Sequence, residues 1–170
     1  MPGRVAAASA ITRRIVASLP KTVTVSTLAE APGLALLDVR TGDTFEMHDH
    51  GRDDDHGHGH GKDDHDGEEA VRDGHVWLDP RNAVAMVKEI ARVLKEAAPD
   101  KAATFDANAA VAIAGIEVTE REIDAAITPL RGRPFVVFHD AYQYFENRFA
   151  IPAIGAITIS PDVQPSARRL

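Results

Sequence analysis

The sequence predicts an α/β fold in which parallel sheets are flanked by helices. Helical and extended patterns alternate in the C-terminal half, an order typical of a parallel sheet with helices on its faces. Residues 134–138 and 152–159 are short, continuous apolar runs, the pattern of strands buried on both faces. Residues 101–128 have the pattern of one helix, about 42 Å long at 1.5 Å per residue, which is long enough to bridge two lobes.

The N-terminal part combines one helical pattern with two extended ones. Residues 1–20 contain a small apolar patch followed by Arg13 and Arg14, which indicates an amphipathic helix. A signal peptide would need a more apolar central region, so we expect no export signal in this chain. Residues 22–27 alternate β-branched and polar side chains and predict a strand. After a Pro-Gly break, residues 34–39 predict a short extended piece.

Two helices are predicted in the middle of the chain. Asp79 followed by Pro80 provides an N-cap and a first-turn proline, and apolar residues then recur at helical spacing to about Ala97. The second helix restarts after Pro99. The apolar stripe of the first helix consists of Ala83, Val84, Val87, Ile90, Ala91 and Leu94. The stripe of the second consists of Phe105, Ala109, Ile113, Ile116, Ile123, Ile127 and Leu130.

The C-terminal part completes the alternation of elements. Residues 141–149 predict a helix between the two apolar strands, and a further turn or helix begins at Ser160. Aromatic spacing on a helix usually reflects packing, so we expect Tyr142 and Tyr144 to pack rather than to line a cleft. We likewise expect Trp77 to lie in the core.

Residues 47–75 are dominated by histidine, aspartate and glycine and hold seven of the eight histidines. The segment carries essentially all of the net charge of −7. Neutral imidazole is a common zinc ligand, and the glycines let the backbone wrap around an ion. So few apolar residues cannot offset the ordering entropy, so we expect disorder without metal. A solvated acidic linker is the alternative for residues 53–55. The accessory metal ligands predicted here are His48, His50, His56, His58, His60 and His65.

Composition excludes several classes of function. The chain is 44% hydrophobic and 26% charged, values ordinary for a globular protein, and it has no apolar run long enough to span a membrane. Net acidity argues against a nucleic-acid partner. Because cysteine is absent, a metal site must use nitrogen and oxygen ligands.

Two isolated histidines are predicted to form an ordered metal site. His75 ends the histidine-rich tract and begins an ordered element, while His139 lies just beyond the carboxyl end of a predicted strand, where ligands bind in open α/β sheets. The alternative for His139 is a hydrogen-bonded residue at a strand end. For Asp140, a helix N-cap is at least as good an interpretation as a metal ligand.

Three segments carry a resemblance to a known family. His75-Val-Trp-Leu-Asp-Pro80, the segment FVVFHDAYQYF at residues 135–145 and the segment AITISPDVQP at residues 156–165 resemble signature segments of the zinc-specific solute-binding proteins of ABC importers (ZnuA-type, solute-binding family 9). The histidine-rich insertion stands before the first of them, as in that family. The resemblance covers roughly residues 22–170.

The resemblance implies a fold of two α/β lobes joined by a long helix, with zinc held between the lobes. It also implies three histidine ligands, completed by a carboxylate or water; His75 corresponds to the second histidine and His139 to the third. We expect the chain to be the middle of such a protein, because no histidine precedes residue 22 and the region of the carboxylate follows residue 170 in the family. The expected parts are residues 1–45 (remnant of the N-terminal lobe), 46–74 (disordered loop), 75–98 (end of that lobe), 99–131 (interlobe helix) and 132–170 (start of the C-terminal lobe).

The function that the resemblance implies is binding of Zn²⁺ as transported cargo and its delivery to the membrane permease of an ABC importer. Such a protein is not an enzyme, works in the periplasm or at the cell surface, and is expected to be a monomer. One alternative is a metal buffer or storage protein in which the loop is the main site. A metal hydrolase using the His139-Asp140 pair is disfavoured, because no nucleophile or general base accompanies either isolated histidine.

Overall fold

The computed structural model describes residues 10–40, Phe45 and residues 72–158. Within them the elements run in the order helix α1, helices α2 and α3, strand β1, helix α4 and strand β2, with short 3-10 turns between several of them. Their bounds are α1 (Ala10–Ser18), α2 (Pro80–Ala97), α3 (Ala102–Ile127), β1 (Val137–His139), α4 (Gln143–Phe149) and β2 (Ala156–Thr158).

The predicted α/β class is confirmed by the pairing of the two strands. β1 and β2 are parallel, and α4 connects them. The register places Val137 opposite Ala156 and His139 opposite Thr158. A parallel pair needs such a crossover, because the second strand must start at the same end of the sheet as the first.

Helix α2 begins where the sequence predicts. The side chain of Asp79 accepts a hydrogen bond from the backbone N–H of Arg81 at 2.8 Å, and Pro80 occupies the first turn. This cap satisfies one of the backbone donors that a helix start leaves unpaired. The helix ends before Pro99, at the start of a 3-10 turn that leads into α3.

Helix α3 is continuous through Gly115, and its 26 residues span about 39 Å. It packs against α2, and Lys95 of α2 pairs with Asp106 of α3 at 2.6 Å. Six of the seven predicted stripe residues of α3 are half-buried, and the seventh, Leu130, is exposed in the turn that follows. The buried face of α2 is narrower than predicted, because Ile90 and Leu94 are exposed.

The best-buried side chains of the described region are Tyr144, Phe149 and Asn82. The Asn82 side chain accepts a hydrogen bond from the N–H of Ala35 and donates to the carbonyls of Ala35 and Val76. These three bonds, 2.9 to 3.0 Å long, fix α2 to the segment before the histidine-rich tract and to the turn that carries His75. The buried Asn82 is therefore tied directly to the turn that carries His75.

The strand predicted at residues 22–27 is wrong. Residues 24–27 have no regular structure, and Val23 and Val25 are exposed. Alternation of side chains produces a strand only where a second strand pairs with it, and no described residue does so here. The helix predicted within residues 1–20 is present as α1. The extended piece at residues 34–39 is present in part, since Asp38 forms an antiparallel bridge with Arg72.

The prediction that residues 134–138 are buried on both faces is also wrong. Val136 and Phe138 are exposed, the latter by 65%, whereas Val137 and His139 point to the half-buried face. Val136 and Phe138 therefore lie on the more exposed face of β1.

The predicted turn or helix at Ser160 lies outside the described residues. None of the helices in the described region is both long enough and apolar enough to cross a membrane.

Candidate metal centre

His75 is held at the start of a 3-10 turn, Val76–Leu78. The buried side chain of Val76 anchors this turn in the core. Oδ1 of Asp73 accepts a hydrogen bond from the backbone N–H of His75 at 2.9 Å and lies 2.7 Å from its ring atom Nδ1. The ring is therefore oriented by a neighbour on its own segment before any ion binds.

His139 is the last residue of β1. The N–H of Asp140 donates to the carbonyl of Thr158 on β2 at 3.1 Å, and the N–H of Ala141 donates back to the carbonyl of His139 at 2.9 Å. The first of these bonds continues the parallel pairing beyond the strand, and the second turns the chain towards α4. Together they place His139 at the carboxyl end of the sheet, as its position in the sequence predicts.

The structure brings the rings of His75 and His139 together. Their centroids are 5.4 Å apart and their planes are inclined by 77°. A zinc ion lies about 3 Å from the centroid of an imidazole that ligates it, because the Zn–N bond is about 2.0–2.1 Å long. Two rings with centroids less than about 6 Å apart can therefore contact one ion. The separation of the two rings meets this condition.

The described residues contain no group of three or more histidine, aspartate or glutamate side chains arranged to hold a metal ion. Two histidines are fewer than the three protein ligands that an exchangeable zinc site uses at least. The six accessory histidines predicted as further ligands, His48, His50, His56, His58, His60 and His65, lie outside the described residues.

Asp140 does not face the histidine pair as a free carboxylate. It forms an ion pair with the guanidinium of Arg40, which also contacts both carboxylate oxygens of Glu146, at 2.6 and 3.1 Å. The predicted N-cap role of Asp140 is wrong, because the N-cap of α4 is Tyr142 and no side chain caps that position. Asp140 pairs with Arg40 instead of capping α4, because a hydrogen bond between two charged groups is stronger than one to a neutral backbone N–H.

Arg40 links the segment before the histidine-rich tract to the segment that carries His139. Burial opposes its charge, but the hydrogen bonds to Glu146 and Asp140 outweigh that effect, and the pKa of Arg40 is raised. Glu146 is itself buried and accepts a further hydrogen bond from the N–H of Ala153. The guanidinium also stacks over the ring of Phe45, 4.1 Å from its centroid.

Tyr144 makes a second link between the same two parts. Its hydroxyl accepts a hydrogen bond from the N–H of Leu37 at 2.9 Å and donates to the carbonyl of Asp73 at 3.1 Å. Burial raises the pKa of Tyr144 above its ordinary value, although the hydrogen bond from Leu37 acts in the opposite direction. The expectation that Tyr144 packs is confirmed, whereas Tyr142 is exposed and that expectation is wrong.

Trp77 is 56% exposed, so the prediction of a core tryptophan is wrong. Its ring centroid lies 5.6 Å from that of His75. The 3-10 turn explains the placement, because burial of Val76 directs the next side chain away from the core. The tryptophan ring therefore lies beside His75 and not in the core.

Sequence reasoning missed Asp73, Arg40 and Tyr144 as residues that shape the site. Asp73 could have been found, since an Asp side chain often accepts a hydrogen bond from the backbone N–H of the second residue after it. Arg40 carried no such signal, because its partners are 100 and 106 positions away along the chain.

Comparison with known proteins gives consistent matches. A family model described as "Zinc-uptake complex component A periplasmic" (ZnuA) matches residues 9–170. The high-affinity zinc uptake system protein ZnuA of Brucella abortus (strain 2308) is 42% identical over 158 residues, which cover 84% of this chain and 47% of the relative. The zinc-binding protein AdcA of Streptococcus pyogenes serotype M18 is 32% identical over 133 residues, or 78% of this chain and 24% of the relative.

Solved structures show the same likeness. A crystal structure of ZnuA matches with a TM-score of 0.51 and 32% identity over 58% of this chain and 38% of that one. A Zn(II)-bound variant of AdcAII from Streptococcus pneumoniae matches with a TM-score of 0.52 and 29% identity over 60% and 38% of the two chains. The chain spans about half the length of the Brucella relative that it matches, at 47%.

Proposed function

Because this chain belongs to the family of ZnuA, the periplasmic component A of zinc-uptake complexes, we propose that it binds zinc and delivers it for uptake. The ion is cargo and leaves chemically unchanged, so the protein is a carrier and not an enzyme. The observation that carries the proposal is the meeting of two imidazole rings, 5.4 Å apart, from segments distant in the sequence.

In this proposal His75 and His139 each give one ring nitrogen to the ion. Neutral imidazole suits zinc, and the absence of cysteine leaves nitrogen and oxygen ligands as the available set. At least one further ligand comes from outside the described residues. His48, His50, His56, His58, His60 and His65 are proposed to act as an accessory set that collects zinc near the pair.

Three parts of the chain keep the boundaries predicted from the sequence, whereas residues 72–74, predicted to end the disordered loop, are ordered: Arg72 bridges Asp38 and Asp73 is buried. Residues 99–131, which contain α3, act as the helix between two lobes; residues 75–98 end the first lobe and residues 132–170 begin the second. The ion lies between the lobes, so that a change in their arrangement loads or releases it. His75 and His139 support this division, since they come from either side of α3.

The proposed partner is the membrane permease of an ABC importer, which receives zinc in the periplasm or at the cell surface from a monomeric carrier. Neither nucleic acid nor insertion of the chain into a membrane has a part in this function. Its support is the family membership and the predominance of zinc uptake among the names of the relatives.

Zinc affinity of two variant sets tests the proposal. The first set replaces His75 and His139 by Ala, and the second replaces only the six accessory histidines. Competition against a chelating dye at neutral pH gives the affinity of the chain in each form. We expect the double variant of the pair to lose at least about 100-fold, which is the upper end for changes at residues that only support a ligand.

The accessory variant serves as the matched control, since it removes three times as many imidazoles from the same chain. The proposal predicts that it keeps the tight site and loses only weaker binding. The opposite pattern, tight binding retained without the pair and lost without the accessory set, would mean that the chain is a buffer or storage protein.

A further inference from the structure

Asp73 is a buried carboxylate that is not among the proposed zinc ligands. The residue is 8% exposed, and one oxygen, Oδ1, lies within hydrogen-bond distance of both the backbone N–H and Nδ1 of His75. The Asp73 side chain therefore contacts both the backbone and the ring of His75. Two contacts fix both the position of the imidazole and its rotation.

The contact with Nδ1 determines which ring nitrogen of His75 is free. An ionised carboxylate only accepts hydrogen bonds, so the neutral imidazole beside it carries its proton on Nδ1. The lone pair that can bind a metal ion is then on Nε2, on the far side of the ring. A carboxylate in this position also makes the ring a stronger ligand.

Asp73 is held firmly enough to impose this arrangement. Its backbone N–H donates to the carbonyl of Leu37 at 2.9 Å, and its own carbonyl accepts from the hydroxyl of Tyr144 at 3.1 Å. Since Tyr144 lies on α4, five positions after His139, the support of one histidine is tied to the segment that carries the other.

We propose that Asp73 is the positioning residue of the zinc site: it locks His75 in the tautomer that presents Nε2 to the ion held with His139. The inference rests on the proposed function, in which His75 is a ligand. Asp73 itself does not touch the ion. Its contribution is that the ring needs no reorientation or change of tautomer when zinc arrives.

Zinc affinity of Asp73→Ala and Asp73→Asn tests this role. We expect Asp73→Ala to weaken binding by about 10- to 100-fold, the usual cost of losing a carboxylate that supports a histidine ligand. Asp73→Asn keeps an oxygen that accepts from Nδ1, so it should recover part of that loss. The conservative variant also keeps the test usable if the alanine variant folds poorly.

Asp79→Ala is the matched control. Asp79 accepts a hydrogen bond from the backbone N–H two residues on, as Asp73 does, but no histidine is its partner. We expect zinc affinity to be unchanged in Asp79→Ala. An equal loss in both variants would show that the Asp73 effect is only a loss of local structure, and would overturn the proposal.

A double-mutant cycle with His75→Ala separates the positioning role of Asp73 from the ligand role of His75. If Asp73 acts through His75, Asp73→Ala causes no further loss once His75 is absent. An undiminished loss in that background overturns the role of Asp73 alone. An unchanged affinity in His75→Ala itself overturns the ligand assignment, and with it the zinc role of Asp73.

A long-range ¹H–¹⁵N spectrum of the zinc-free chain reads the tautomer directly. The signals of His75, identified by their absence in His75→Gln, should show a protonated Nδ1 and a bare Nε2. In Asp73→Ala they should show a mixture of tautomers. A protonated Nε2 in the unaltered chain would contradict the proposal whatever the affinities.

Discussion

Arg40 and Asp140 form an ion pair that joins the segment before the histidine-rich tract to the residue next to His139. The same guanidinium contacts Glu146, so one cation neutralises two carboxylates that are both largely removed from water. Together with the hydroxyl of Tyr144, it holds the part that carries His75 against the part that carries His139. We therefore expect the geometry of the histidine pair to depend on these contacts of Arg40 and Tyr144.

Replacement of Arg40 should therefore be costly. We expect Arg40→Ala to lower the free energy of unfolding by about 3–5 kcal/mol, because it leaves Asp140 and Glu146 without their counter-charge. Urea unfolding followed by circular dichroism measures the change. Arg92→Ala is the control: the Arg92 side chain is 52% exposed on α2, so its ion pairs with Glu89 and Glu96 are weakened by water and its replacement should cost much less. Equal losses of unfolding free energy in the two variants would contradict the role of Arg40 in joining the two segments.

Tyr144→Phe should destabilise the chain by about 1–3 kcal/mol. Loss of the hydroxyl leaves the partly buried N–H of Leu37 and the buried carbonyl of Asp73 without their partner, and an unpaired buried polar group is costly. Tyr142→Phe removes an exposed hydroxyl and should change stability by less than about 0.5 kcal/mol. Chemical denaturation of both variants measures the difference, and a neutral Tyr144→Phe would contradict the bridging role.

Stability should fall at alkaline pH through Tyr144. Burial raises the pKa of this phenol in the folded chain, so the unfolded chain loses its proton first. The stabilisation is fully present below about pH 10, the ordinary tyrosine value, and is lost as the pH rises through the raised pKa of the folded state.

Unfolding free energies measured from about pH 8 to about pH 11, around that ordinary value, should show this loss. It should be smaller in Tyr144→Phe, which has no phenol at this position. The Tyr142→Phe variant retains Tyr144 and should keep the full dependence. An identical alkaline slope in Tyr144→Phe and the unaltered chain would show that Tyr144 is not its source.

Replacement of Trp77 tests whether its ring is exposed, as in the structure, or lies in the core, as the sequence predicts. A core tryptophan replaced by Ala would cost about 3–5 kcal/mol. Because the ring is 56% exposed, we expect Trp77→Ala to cost well under that, about 1 kcal/mol or less. Phe149→Ala, at a ring that is 1% exposed, should show the full core penalty. Thermal or urea unfolding of both variants measures the contrast, and similar losses would place Trp77 in the core.

The sequence predicts best what neighbouring residues determine. The start of α2 follows from Asp79 and Pro80 alone, and the half-buried stripe of α3 follows from apolar spacing, so both are confirmed. The strand at residues 22–27 is wrong because a strand needs a partner elsewhere in the chain.

The same distinction applies to the site. The position of His139 at a strand end is predicted, because a short apolar run marks the strand. The partner of Asp140 is not, because Arg40 is distant in the sequence and competes successfully with the local helix cap. Asp73 lies between these cases: its bond to His75 is local, but its rigidity comes from Leu37 and Tyr144.

A crystal structure of the zinc-loaded chain, with anomalous data at the zinc edge, tests most directly whether His75 and His139 bind one ion. We expect an anomalous peak about 2.0–2.1 Å from a ring nitrogen of both His75 and His139. For His75 that nitrogen should be Nε2, with Nδ1 still bonded to Asp73. A fully occupied zinc peak that contacts neither histidine would show that the pair is not the zinc site.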